Sequence, residues 1–118
     1  MVKTELDPTG KAANEPGAKL DAGKSPLYRG FFNYFPRAIR AVADVSAFGA
    51  AKYSWGGWRS VPDGYTRYSD ALVRHIDDEA TGELLDRDSE LFHASHAAWN
   101  ALARLELMLE MLEQVDKK

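Results

Sequence analysis

Apolar residues recur at helical spacing in three stretches of the chain, separated by runs rich in glycine, proline and charge. From Pro36 to about Tyr53, Ile39, Val42, Val45, Phe48 and Gly49 make one stripe, while Arg37, Arg40 and Asp44 face elsewhere. Pro36 suits the first position of a helix. From about Gly64 to Ala80, Tyr68, Ala71, Leu72 and Ile76 form an apolar stripe, and Arg67, Asp70, Arg74, Asp77 and Asp78 a second, charged one. Gly82 then interrupts the pattern and is the predicted C-terminal cap. From about Ser89 to Gln114, His93, His96 and Asn100 share one face, with Leu91, Ala94, Ala98, Leu102 and Leu105 at neighbouring positions. The end of this third stretch sets Leu105, Met108, Leu109 and Leu112 against Glu106, Glu110 and Glu113, the pattern of a packing face. The pattern predicts an all-α domain over residues 18–115 with three main helices, completed by homo-oligomerisation.

Residues 1–17 are polar, carry Pro8, Gly10, Pro16 and Gly17, and show no stripe, so a flexible N-terminal arm is expected. The following G-A-K-L-D-A-G-K-S-P places Lys19, Asp21 and Lys24 among small residues. That is either a loop offering cations to phosphates or an ordinary solvated loop, and it lacks the spacing of a Walker A motif. Leu27 to Phe35 is aromatic-rich and is expected to pack against the helices or a neighbouring subunit. The loop S-W-G-G-W-R-S-V-P-D-G carries Trp55 and Trp58, which either stack on a base or close the end of a small core.

With 118 residues, one domain is expected, and a formal net charge of −3 argues against a nucleic-acid coat. The absence of cysteine excludes a disulfide frame, a thiolate nucleophile and zinc–thiolate ligation. No secretory signal and no apolar run of membrane-spanning length is seen, so a cytoplasmic protein is expected.

The candidate chemistry gathers between Arg67 and Asn100, which holds all 3 histidines. Glu83 and Asp86 form an E-x-x-D unit with Asp88 and Glu90 just beyond, either oxygen ligands for Mg²⁺ or an acidic surface turn. His93 and His96 can bind a metal, orient a water or donate to phosphate, and imidazoles also suit Mn²⁺. Arg67 and Arg74 either hold phosphate oxygens or pair with Asp70 and Asp78 on their own helix. The nucleophile most compatible with this set is water.

In order along the chain, G-A-K-L-D-A-G-K, F-G-A-A-K-Y, a Trp-Arg pair, R-Y-x-D-A-x-x-R-H, G-E-x-x-D and H-x-x-H-A-x-x-N appear. Together, over about residues 17–106, this sequence resembles the phage-type dATP/dGTP diphosphohydrolases, MazZ-like relatives of the MazG-like nucleoside triphosphate pyrophosphohydrolases. The resemblance implies an oligomeric helical enzyme that cleaves a purine deoxynucleoside triphosphate to monophosphate and pyrophosphate with Mg²⁺ or Mn²⁺, in phage nucleotide-pool control and in the host cytoplasm. It implies metal ligation by Glu83, Asp86 and Asp88, and catalytic roles for His93, His96 and Asp70. It implies nucleotide contacts from Lys19, Asp21, Lys24 and Lys52 on the N-terminal side, and from Trp58, Arg67, Arg74, His75 and Asn100 beyond. No membrane or nucleic-acid partner is expected. One departure is clear: the family's turn reads D-x-E-S-G, where this chain has Asp86-Arg87-Asp88-Ser89-Glu90. A non-catalytic nucleotide-binding or protein-interaction module on the same fold is the alternative. An HD-type triphosphohydrolase is disfavoured, since Ile76 separates His75 from Asp77.

Overall fold

A computed structural model describes residues 5–116, which form two compact units divided between Tyr34 and Phe35. In the first unit, Asp7 is the organising residue. Its carboxylate accepts the backbone N–H groups of Thr9, Lys11 and Lys19 and the Thr9 hydroxyl. Those bonds, the Lys11 amide first, hold its carboxyl below the usual carboxylate range against the opposing effect of burial. Gly10 has φ +90°, and Leu6 bridges Ala12 across the closed turn. Of the arm expected over 1–17, residues 1–4 lie outside the described residues; 5–12 are this turn. A short π-helical turn follows at Tyr28–Phe32, with Tyr28 and Phe32 exposed.

The second unit holds the three long helices: α1 (Pro36–Lys52), α2 (Gly64–Ala80) and α3 (His93–Asp116), with a 3₁₀ turn at Gly57–Ser60. Among the described residues there is no named strand, and no helix is long and apolar enough to cross a membrane. Pro36 does start α1, and Val45 on its predicted stripe is buried. Helices α2 and α3 pack antiparallel: Gly64 meets Leu107, Ser69 meets Arg104, and His75 meets His96. A Cβ on Gly64 would stand 3.0 Å from Leu107 Cδ1, so the bare backbone there permits the close approach.

The end of α2 is a Schellman cap. Gly82, at φ +105°, donates its N–H to Glu79 O, and Glu83 donates to Asp78 O. The predicted cap is thus observed. The start of α3 differs from expectation: it begins at His93, not near Ser89. The intervening residues are held by Asp86, whose Oδ1 accepts the N–H groups of Asp88 and Ser89 at 2.9 Å. The Asp86 and His93 amides donate to Leu91 O and Leu84 O. A short carboxylate that captures nearby amides competes with helix formation. Glu90 closes this turn at φ +61°, a left-handed backbone that glycine adopts without strain.

The interior also differs from the predicted stripes. On α2 the buried residues are Gly64 and His75, and Ile76 is exposed. On α3 the buried residues are His93, Ser95, His96, Asn100 and Ala103, whereas Leu102, Leu105, Leu109 and Leu112 are exposed. The helices therefore meet through a polar seam.

Candidate active site

That seam is built from α2, α3 and the loop between them. His93 is the most deeply buried large side chain, 1% exposed. Its Nε2 lies 2.8 Å from Glu83 Oε1, and its Nδ1 lies 2.8 Å from His75 Nδ1. The hydrogen bond from His93 is the main reason that Glu83 sits below the usual carboxylate range; Arg87, 2.9 Å from the other carboxylate oxygen, adds to it. A carboxylate only accepts, so His93 donates from Nε2 and presents a lone pair at Nδ1.

The His75 ring also stacks on that of His96, with centroids 4.6 Å apart and planes within 9°. His96 Nε2 is 2.6 Å from Ser89 Oγ, and Phe48 of α1 meets the His96 ring edge-on. Burial pushes both imidazoles below their ordinary pKa. At His75 the neighbouring His96 works in the same direction and Asp86 opposes; at His96, Asp86 opposes and His93 assists. Asp86 lies below the usual carboxylate range because the Ser89 and Asp88 amides, with His96 and His75, outweigh its burial.

Two groups of donors have the spacing of a metal site. The ligand atoms of His75, Asp86 and His93 lie within 4.8 Å of one another, as do those of Asp78, Glu83 and His93. The carboxylate-imidazole mixture fits a divalent cation.

His75, His96 and Asp86 face a cleft of about 970 Å³. One part of its wall is charged. Arg67 and Arg74 are exposed there, and neither forms an ion pair among the described residues; Arg67 reaches only Pro62 O. The expected alternative, pairing with Asp70 or Asp78, is not what the helix adopts. Asp70 and Asn100 line the same wall, with the Asn100 amide donating to His96 O. Lys52 and Asp88 complete it, joined to each other at 2.7 Å. Glu83 and Asp86 each belong to one of the donor groups; Asp88 belongs to neither, although its charge acts on His96.

The other part of the wall is aromatic. Trp58 is half-buried, packed edge-on against Tyr68 and Trp99, with the Arg59 guanidinium 4.7 Å from its ring centroid. Tyr68 donates to Trp58 O, and Trp99 Nε1 donates to Ser46 Oγ of α1. Trp55 lines the cleft too, and is 73% exposed. Trp58 thus closes the core and borders the cleft at once. Lys19, Asp21 and Lys24 belong to the first unit, where Asp21 and Lys24 line a hollow beside Tyr28.

Two participants escaped the sequence reading. Asp78, three residues after His75, had the H-x-x-D spacing that places both on one helical face. Ser89, the partner of His96, carried no signal because loop closure alone brings it there.

A family model described as dATP/dGTP diphosphohydrolase, N-terminal, matches residues 14–118. A dATP/dGTP diphosphohydrolase of Salmonella phage PMBT28 is 35% identical over 82 residues, covering 70% of this chain and 26% of that protein. The chain therefore spans about a quarter of the length of this curated relative. No solved structure matches it.

Proposed function

Because the chain belongs to the dATP/dGTP diphosphohydrolase family, matching its N-terminal model, we propose that it hydrolyses a purine deoxynucleoside triphosphate to monophosphate and pyrophosphate, in control of a phage nucleotide pool. The observation that carries this reading is the two-part cleft wall: unpaired Arg67 and Arg74 beside a buried imidazole–carboxylate cluster, and indoles beyond. A nucleoside triphosphate has the same division, an anionic chain and a flat base.

In this reading Arg67 and Arg74 hold phosphate oxygens through charge-assisted hydrogen bonds. Lys52 joins them by exchanging Asp88 for phosphate, and Trp58 and Trp55 border the base. Lys19, Asp21 and Lys24 of the first unit keep only the nucleotide-binding role that the family resemblance implies, and Asp70 and Asn100 border the phosphate chain from the cleft wall. A divalent ion, Mn²⁺ in preference to Mg²⁺, would be held by His75, Asp86 and His93 or by Asp78, Glu83 and His93. When bound it polarises phosphate oxygens and makes water a stronger acid. His96, kept neutral by burial, is the base that accepts a proton from the attacking water. The bond broken is the phosphoanhydride linkage between the α and β phosphates. A second copy of the chain covers the exposed leucines of α3, since only Val45 and Ala103 are buried hydrophobics among the described residues.

The deciding experiment is product analysis with each dNTP and NTP in the presence of Mg²⁺, Mn²⁺ or EDTA. Monophosphate and pyrophosphate, lost with EDTA and in Asp86→Ala, are expected. Binding without product would favour the alternative, a non-catalytic nucleotide-binding module.

A further inference from the structure

We infer that Glu83 is a positioning residue that fixes the tautomers of two histidines in series. Each neutral imidazole carries one N–H and one lone pair. Glu83 Oε1, 2.8 Å from His93 Nε2, accepts, so the His93 proton is on Nε2 and its lone pair on Nδ1. That Nδ1 lies 2.8 Å from His75 Nδ1. Two lone pairs do not face each other at this distance, so His75 donates from Nδ1 and its own lone pair is left on Nε2.

The chain therefore runs His75 Nδ1–H to His93 Nδ1, then His93 Nε2–H to Glu83 Oε1. Neither Glu83 nor His93 lines the cleft, whereas His75 does. The information passes outward: a carboxylate behind the seam decides which nitrogen of the cleft-lining imidazole is basic. Were a divalent ion held by His75, Asp86 and His93, Glu83 would still keep the His93 Nδ1 lone pair turned toward it, while the His75 proton would move to Nε2. Outer partners of this kind typically carry about 10–100-fold in activity or metal affinity. The extra oxygen contact of Glu83, to Arg87, is on the exposed side of the loop and is not part of the chain.

The tautomer assignment follows from hydrogen-bond geometry for neutral rings, and its effect on turnover rests on the hydrolase reading above. The test is long-range ¹H–¹⁵N correlation on metal-free protein labelled at histidine. His93 is expected as the Nε2–H form and His75 as the Nδ1–H form. His93 as Nδ1–H, or His75 as Nε2–H, overturns the inference. Glu83→Ala should release both assignments into mixtures, and Arg87→Ala should leave them unchanged; the reverse result overturns it as well. In turnover, Glu83→Ala is expected to lower kcat about 10–100-fold with KM within about twofold, and Glu83→Asp to recover part of the loss. Unchanged kcat with altered tautomers refutes the link to the reaction. Absence of turnover in the unaltered protein would instead refute the hydrolase reading, and the spectra would still decide the tautomers.

Discussion

The imidazole rings of His75 and His96 lie face to face across the junction of α2 and α3, 4.6 Å between centroids. Two stacked, buried rings resist protonation, and each is held below its ordinary pKa of 6.5, first by burial. Between that value and their folded pKa values, the unfolded chain binds protons that the folded chain refuses, so stability rises with pH there. Metal-free protein is expected to have a constant melting temperature above about pH 7.5 and a falling one as pH drops below 6.5. His96→Gln should flatten that fall. A melting temperature that rises on acidification would contradict the burial of these rings.

The donor atoms around His93 predict a cation preference. Mn²⁺ should raise the melting temperature more than Mg²⁺ at equal concentration. At about 100 times its Kd, a bound ion adds about 2.7 kcal/mol, which amounts to several degrees for a domain of this size. The increment should vanish in His93→Ala, the one donor common to both groups. Equal shifts from both ions, surviving that substitution, would place the ion elsewhere.

Two tryptophans on one cleft should respond differently to truncation. Trp58→Ala removes edge contacts to Tyr68 and Trp99 and should cost about 2 kcal/mol of stability, less than a fully buried tryptophan. Trp55→Ala should leave stability within about 0.5 kcal/mol. It should raise KM for purine nucleotides about tenfold, since base stacking on an indole contributes about 1–3 kcal/mol. Chemical denaturation and steady-state kinetics on the same pair of variants separate the two roles.

Arg74 lines the cleft with no ion pair among the described residues, so neutralising it removes a cation without freeing a buried carboxylate. Arg74→Gln is expected to raise KM about tenfold, equivalent to about 1.4 kcal/mol of binding. Its melting temperature should be unchanged. Loss of stability in place of affinity would assign Arg74 to the fold.

Glu90 holds a left-handed backbone that costs an L-residue roughly 1–2 kcal/mol. Glycine removes that strain but enlarges the unfolded ensemble by about 0.4–1 kcal/mol. Glu90→Gly is therefore expected to stabilise the protein by up to about 1 kcal/mol in urea denaturation.

The helix bounds were most legible where the local sequence alone sets them. Pro36 starts α1, and Gly82 stops α2, because each imposes a backbone conformation without help from distant residues. The start of α3 was displaced since Asp86 takes amides that a helix would otherwise leave free for its first turn, a competition that periodicity does not register. The site was legible as a set of residue types and much less so as an arrangement. His93 and His96 were visible as one face, but periodicity placed Ile76 inward where His75 lies, because an apolar residue is the ordinary occupant of a helical seam. Asp88 looked equivalent to Asp86 in sequence. Only the fold reveals that Asp88 pairs with Lys52, thirty-six residues away. The Asp7 turn was hidden for the opposite reason: a single carboxylate replaces the hydrophobic pattern by which ordered segments are usually detected.

Gly82 has no side chain, yet it aims one. Its left-handed φ turns the chain so that the next amide closes on Asp78 and the Glu83 carboxylate arrives at His93. A side chain there would meet open space, but its backbone would be strained at this φ, and relief of that strain would turn the Glu83 carboxylate. In a mutational scan scored by turnover, position 82 would rank among the catalytic groups. Scored by the affinity of the unreacted nucleotide, it would look tolerant, and the gap between those two scores is the signature of a hinge that sets direction.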